Sequence, residues 1–429
     1  MAEVQPMIAF LKRLWRDRRG NALVITAAAL PLVLGSAGLA SDTIEWALWK
    51  RQLQRAADSA AMAGVYTIAQ DQGSRANITP AVDRDLAINN HVGITTTRTA
   101  GQPTAGSYTA DPYAVRVSLS VQKALSFSSF FLSAAPTISA SATATIVPSG
   151  VYCVVSLINT ASTGITATGS STVNLGCGMI TNSTSMSAAI ATGSTNVTAS
   201  PIAAVGGIAA SDNWGSGTVL QPFTMAQEDP FDDVPPPTFP TGNCGNVNVN
   251  SNATATLDPG CYGNMTLNGD VTLNPGVYVL DGGSLSIGAQ ATVSCASPGC
   301  TFVLSSRTAD TNPSSIGNVD INGGAEVDLV ASETGTYQGL IMYQDRRAQS
   351  GTSASQNNHL NGNSESSFVG AFYFPSQNTT FNGTAGMTTT CMQLVAYTVT
   401  FSGNMNIDNN CPTGSGAQGF QGKQVRLVE

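Results

Sequence analysis

The residue pattern predicts a mostly β protein: a right-handed β-helix-like solenoid that follows an N-terminal transmembrane helix and a small α+β unit. Three observations carry this expectation. Asn21 to Ala40 hold no charge, and about twenty helical residues at about 1.5 Å each cross the roughly 30 Å of a bilayer's hydrocarbon core. Beyond residue 150, short turn-and-strand units recur at spacings near ~20 residues or twice that, the signature of a stacked repeat. All eight cysteines fall beyond that same point.

The first element is a basic tail, residues 1–20, in which Lys12, Arg13, Arg16, Arg18 and Arg19 stand against Asp17. Short basic flanks stay in the cytoplasm, so the span at 21–41 is expected to send residues 42–429 outward. Trp15 before the span, and Trp46 and Trp49 after it, suit the two headgroup layers, where amphipathic indoles settle. Residues 42–70 continue the helix, being rich in Ala and free of Pro. Ala56, Ala60 and Gly64 put a small residue at every fourth position, which either permits self-association of helices or lets the helix lie closely on its own domain.

Residues 42–148 read as this helix extension with a small α+β unit. A short helix signal covers 76–91, with Thr79 as N-cap and Pro80 at the first helical position. Two period-two runs, 113–121 and 137–146, read as half-buried strands. A first β-repeat block follows at 149–221, with units opening at Gly169 and Gly193. An acidic, Pro-rich linker at 222–242, containing Glu228-Asp-Pro-Phe-Asp-Asp-Val-Pro-Pro-Pro237, is expected to be stiff and solvated. The β-helix-like domain at 243–412 has units opening at Gly269, Gly288, Gly324, Gly362 and Gly403, and a tail closes the chain at 413–429.

Particular residues carry a resemblance to a family. The order Arg18-Arg-Gly-Asn21, an apolar run with Pro31, Gly38-Leu-Ala-Ser-Asp42, a helix bearing Trp46 and Trp49, then Leu53-Gln-Arg-Ala-Ala-Asp-Ser-Ala-Ala-Met-Ala-Gly64 resembles the N-terminal segment of TadG-like proteins of the bacterial Tad (Flp) pilus assembly system. Leu267 to Gly283, Gly339 to Arg347 and Gly370 to Pro375 resemble the β-helix-like C-terminal halves of some of those proteins. The order of 43–148 resembles a pilin-like unit. Related pseudopilin-type members carry a glutamate five residues after the processing glycine; counted from Gly20, this chain has Ile25, so a retained anchor is expected. Gly38 and Ala40 before Ser41 leave a signal-peptidase cut as the alternative. The Asp-x-Ser-x-Ser metal motif of the von Willebrand domains on some TadG-like proteins does not occur in the sequence.

Composition narrows the chemistry. The chain has 429 residues, 10% of them charged, and a net charge of -8. No Lys or Arg lies between Lys123 and Arg307, so that stretch offers no basic surface for nucleic acid. The even cysteine count, confined to one side of the span, suggests disulfides in an oxidising compartment. Sequential pairing is expected: Cys153 with Cys177, Cys244 with Cys261, Cys295 with Cys300, and Cys391 with Cys411. Zinc lacks a CxxC, and no cofactor motif is present. β-helices can host paired carboxylates on a strand face, which makes Asp281, Asp320, Asp328 and Asp345 the candidates for polysaccharide cleavage. Asp281 sits beside Gly282 and Asp320 two residues from Asn318 and Asn322, where Asp is an ordinary turn former, and Asp345 beside Arg346 and Arg347 reads as a surface ion pair.

The combined expectation is a non-enzymatic, single-pass protein of the bacterial inner membrane, with its bulk periplasmic or surface-exposed. Its partners would be membrane lipid and other Tad, pilus or envelope proteins. An adhesin or carbohydrate-binding module is the alternative, with polysaccharide as ligand, and a β-helix enzyme comes third.

Overall fold

The computed structural model describes residues 20–70, 73–88, 96–351, 357–389, 391–407, 409–412 and 415–429. They form two compact units: the described residues up to 147 with 425–429, and those from 148 to 424. The chain is mostly β with an N-terminal apolar helix.

In the first unit, helix α1 (Gly20–Gln70) is continuous through Pro31 and about 75 Å long. Leu53, Ala57, Ala60, Ala61, Val65 and Ile68 recur at helical spacing and are buried. They pack on helix α2 (Ile78–Ile88) and on an antiparallel sheet of β1 (Thr97–Gly101), β2 (Val115–Gln122) and β3 (Thr137–Ser156, of which 137–147 belong here). β2 alternates buried and half-buried residues and pairs in register from Val115↔Ala144 to Gln122↔Thr137. The small-residue stripe serves this packing: a Cβ on Gly64 would stand 2.9 Å from Val115 Cγ1, so the helix reaches the sheet there only without a side chain. α2 starts two residues earlier than its Thr79–Pro80 signal. The Ala81 amide already donates to the Asn77 carbonyl, and Pro80 sits in the first turn, where a missing N–H costs nothing. The expected tail is no tail: Phe420–Leu427 is a strand, and Val428 and Glu429 exchange backbone hydrogen bonds with Thr143.

The second unit is a stack of rungs, each built from three parallel strands. One column runs through Gly276–Asp281, Cys300–Ser305, Leu340–Gln344, 371–374, 394–396, 154–156, 178–181 and 202–204. A second column runs in register through 247–249, 265–267, 285–287, 319–321, 359–362, 380–383, 400–403, 165–168 and 189–191. The third holds the glycine-led repeats, from 254–257, 270–273, 292–295, 326–330 and 367–369 to 387–389, 405–407, 172–175 and 196–198. Inward residues such as Val271, Val293, Val327 and Val173 form a common core.

Spatial order differs from sequence order. The rung at 154–175 stacks directly on the last one, 391–407. The two blocks separated in sequence by the acidic linker are therefore one stack, begun in its middle. Side chains at the turns continue it, as where Asn246 Oδ1 accepts the Asn264 amide at 2.8 Å and Asn264 Oδ1 accepts the Ser284 amide at 2.9 Å. Among the described residues every cysteine is bonded, in the sequential pairs expected, with Cα separations of 5.8, 5.1, 6.1 and 4.6 Å.

Candidate functional site

Three surfaces carry the candidate functions, and the first is the helix. Along 24–41 the apolar side chains of α1 are bare, with Leu32 76% and Val33 61% exposed, and the segment's mean hydropathy is 1.8. A helix so apolar and so exposed is unstable in water, which fits a membrane-anchored protein. Trp46 is exposed, and Trp49 is half-buried with the Lys123 ammonium 5.6 Å from its ring centroid. Lys12, Arg13, Trp15, Arg16, Arg18 and Arg19 lie outside the described residues.

The second surface is the outer side of the first strand column, and it is covered. Cys300–Ser305, Leu340–Gln344 and Gly178–Thr181 are buried at every residue, the pattern of strands enclosed on both faces. The cover includes the acidic segment expected to be solvated. Phe231 is only 8% exposed and meets Tyr373 edge-on at 5.4 Å, and Tyr373, Tyr343 and Tyr337 continue the row at 5.4 and 5.2 Å. The Tyr343 hydroxyl donates to the Val234 carbonyl and Tyr337 to that of Pro235, each at 3.2 Å. Arg346 clamps the segment by donating to the Phe231 carbonyl at 2.6 Å and the Val234 carbonyl at 3.0 Å. The Phe231 carbonyl also accepts the Val234 amide at 3.0 Å, and the prolines that follow have no N–H to offer, so the tyrosines and Arg346 supply the remaining donors.

The cover sets the electrostatics beneath it. Burial pushes the Asp229 carboxyl above its ordinary value, opposed by the Tyr373 hydroxyl at 2.6 Å, the Phe231 amide at 3.0 Å and the Arg346 charge. Burial likewise pushes the Tyr343 phenol up to about 12. Asp345 is 1% exposed, so its expected surface ion pair is in fact a buried carboxylate. Burial would raise it, but hydrogen bonds from Arg347, at 2.5 Å from Nη2, and from Ser305, at 2.6 Å, together hold it below its ordinary value. Sequence position alone could not tell which of three adjacent charges points inward.

The third surface is the open side of the second column. One outward position reads Asn248, Thr266, Ser286, Asp320, His359, Thr380, Thr400, Thr166 and Ile190 from rung to rung, spaced about 4.8 Å apart. It is a flat, half-exposed ladder, mostly neutral and polar. The four carboxylate candidates are dispersed by role. Asp281 pairs with Arg307 at 2.5 Å, Asp345 with Arg347, and Asp320 and Asp328 are exposed on the second and third columns. Asp281 also stands near Cys244 and Cys261, but those sulfurs are bonded to each other.

No curated protein and no solved structure matched the chain. A family model did match, described as putative Flp pilus-assembly TadE/G-like, over residues 20–71. Those residues span helix α1, including the bare apolar segment, and they carry the order of residues from Gly20 through Gly64 that resembled TadG-like proteins. Over residues 20–71, about an eighth of the chain, the protein is thus similar to the TadE/G-like Flp pilus-assembly segment.

Proposed function

We propose that the protein is a single-pass, membrane-anchored structural component of a bacterial Tad (Flp) pilus system. In this reading the second unit is a right-handed β-helix, held outside the cytoplasm, that offers its neutral ladder to pilus or envelope partners. The observation that carries the proposal is the family match lying on a helix whose apolar half is bare. Four disulfides support an oxidising location such as the periplasm. The role is non-catalytic: two of the four carboxylates are neutralised by arginines that would have to leave before either could take part in acid–base chemistry.

The test is a deletion that respects the structure. Removing 243–412 alone would strip 154–175 of the rung on which it stacks, so residues 148–424 must go together, with 147 joined to 425 by a short Gly/Ser linker. The expected outcome is loss of pilus-dependent attachment with the first unit still in the membrane. Full attachment by this variant would refute the role. A reporter fused after Glu429 should be active only if it works in the periplasm, and cytoplasmic activity would refute the orientation. If Asp281→Asn, Asp320→Asn, Asp328→Asn or Asp345→Asn eliminated a polysaccharide-cleaving activity in a folded protein, catalysis would replace the structural role.

A further inference from the structure

We infer that the connection between β2 and β3 dips into the outer interfacial layer of the bilayer, beside helix α1, as a second and aromatic membrane contact. This rests on the anchor reading above. The connection is closed at its base, where the Lys123 amide donates to the Pro136 carbonyl at 3.2 Å. From there it runs along one face of α1 toward the apolar segment. Lys123 lies over Trp49, Ser126 donates to Glu45 through its amide at 3.3 Å and its hydroxyl at 3.0 Å, and the Phe127 and Ser128 amides donate to Asp42 at 2.7 and 2.5 Å. Residues 38, 42, 45 and 49 share that face by helical spacing.

The contact at Gly38 fixes the depth. A Cβ there would fall 2.3 Å from the Phe127 ring, so the ring lies against the helix backbone inside the uncharged run that precedes Asp42. The Phe131 ring packs at a tilt against Phe127, with centroids 5.2 Å apart, and so lies within a ring's width of that level. Phe130, Phe131 and Leu132 are then 82%, 74% and 52% exposed, and residues 124–135 contain no charge. Asp42, buried at 3% exposure, spends its carboxylate on the loop's amides and the Ser128 hydroxyl. Three large apolar side chains held in water by a rigid loop would be a liability. Beside a spanning helix, the same side chains continue an apolar surface that lipid already covers, at the depth where aromatic rings settle. The occupant is therefore lipid.

The experiment uses the full chain in phosphatidylcholine–phosphatidylglycerol vesicles, with acyl chains brominated near the headgroup or near the methyl end. Phe131→Trp replaces an exposed ring by another, and Leu30→Trp marks the middle of the span; added fluorescence is read against the parent chain. The expected result is that Leu30→Trp is quenched by deep bromines, while Phe131→Trp loses most of its added emission to shallow bromines and resists aqueous iodide. Quenching of Leu30→Trp with Phe131→Trp open to iodide would overturn the loop contact and leave the anchor standing. Phe131→Trp shielded from both bromine and iodide would overturn it in favour of a protein partner or second copy. If neither tryptophan met bromine, the anchor reading itself would fall.

Discussion

The first unit contains no cysteine and rests on one helical stripe laid against one antiparallel sheet, whereas the second has four disulfides and a core shared from rung to rung. In the first, each buried residue belongs to a single two-layer contact, so one misfit at the helix–sheet interface is felt by the whole unit. In the second, each rung buries its inward side against its neighbours, the first column being covered on its outer side as well, and the disulfides join nearby passes of chain. Three of its disulfides close loops of 24, 17 and 20 residues between neighbouring passes, and one closes 5. A protein with so few charges and so much Gly thus adds covalent staples to its repeat unit, most of their cysteines buried in the core, and relies on ordinary amphipathic packing where a long helix is at hand.

Reduction should break this comparison most forcefully. Each long-loop disulfide contributes about 3 kcal/mol and the short one about 2 kcal/mol in the chain-entropy picture. Hydrogen exchange under reducing conditions should lose protection at 300–305 and 178–181 and keep it at 115–122. Equal loss in both units would show that the second supports the first. Next in size is Phe231→Ala, which removes a buried ring from the cover of the tyrosine row and should cost roughly 3 kcal/mol. Its readout is proteolysis within 222–242; unchanged resistance there would mean that Arg346 and the tyrosine hydroxyls suffice.

Gly64→Val tests the other unit. The added side chain meets Val115 and should cost about 2 kcal/mol in the first unit only, read by exchange at 115–122 against 300–305. A neutral result would mean that the helix can shift away from the sheet.

The smallest effects are in pH, and they have opposite signs. Asp345 is held below its ordinary value, so its stabilisation is present at neutral pH and lost as pH falls through its folded value, below about pH 4. Asp345→Asn should therefore cost about 2 kcal/mol at pH 7, a cost that shrinks progressively as the pH falls below about 4. Asp229 is raised, so the folded state holds its proton more tightly than the unfolded one, and the cover is favoured below its folded value and weakened as pH rises through it. Asp229→Asn should leave the cover as protected at pH 7, or better protected by up to about 1 kcal/mol, with no change at pH 3. Loss of protection at pH 7 would show that the Arg346 and Tyr373 contacts outweigh burial.

Much of the candidate site was legible because its signals are local. The absence of charge from Asn21 to Ala40, the alternation in Val115–Gln122 and the glycine-led repeats each state a periodicity that a few residues express on their own. The cover was written too, though less openly. Runs such as Cys300–Ser305 and Leu340–Gln344 do not alternate, which already required something on their outer face. Nothing in those runs names Phe231 as part of it. The acidic, proline-rich composition argued for a solvated linker, since composition does not register that Arg346 and three tyrosines would supply donors to its carbonyls.

By itself the sequence determined the apolar helix, the β character of the residues beyond it and the residues on which the family resemblance rests, while the cysteine spacing left the disulfide connectivity for the structure to decide. These depend on near neighbours along the chain, where the hydrophobic period and turn chemistry act. Only the tertiary structure decided that residues 154–175 stack on the last rung, that Asp345 points inward while Asp320 points out, and that Phe127 lies on Gly38. Each of these joins segments tens to hundreds of residues apart, where the choice of neighbour is set by complementary shape and by the need to pair buried polar groups. Local pattern leaves that choice open, because any rung with an apolar interior and a matching register could have served as the platform.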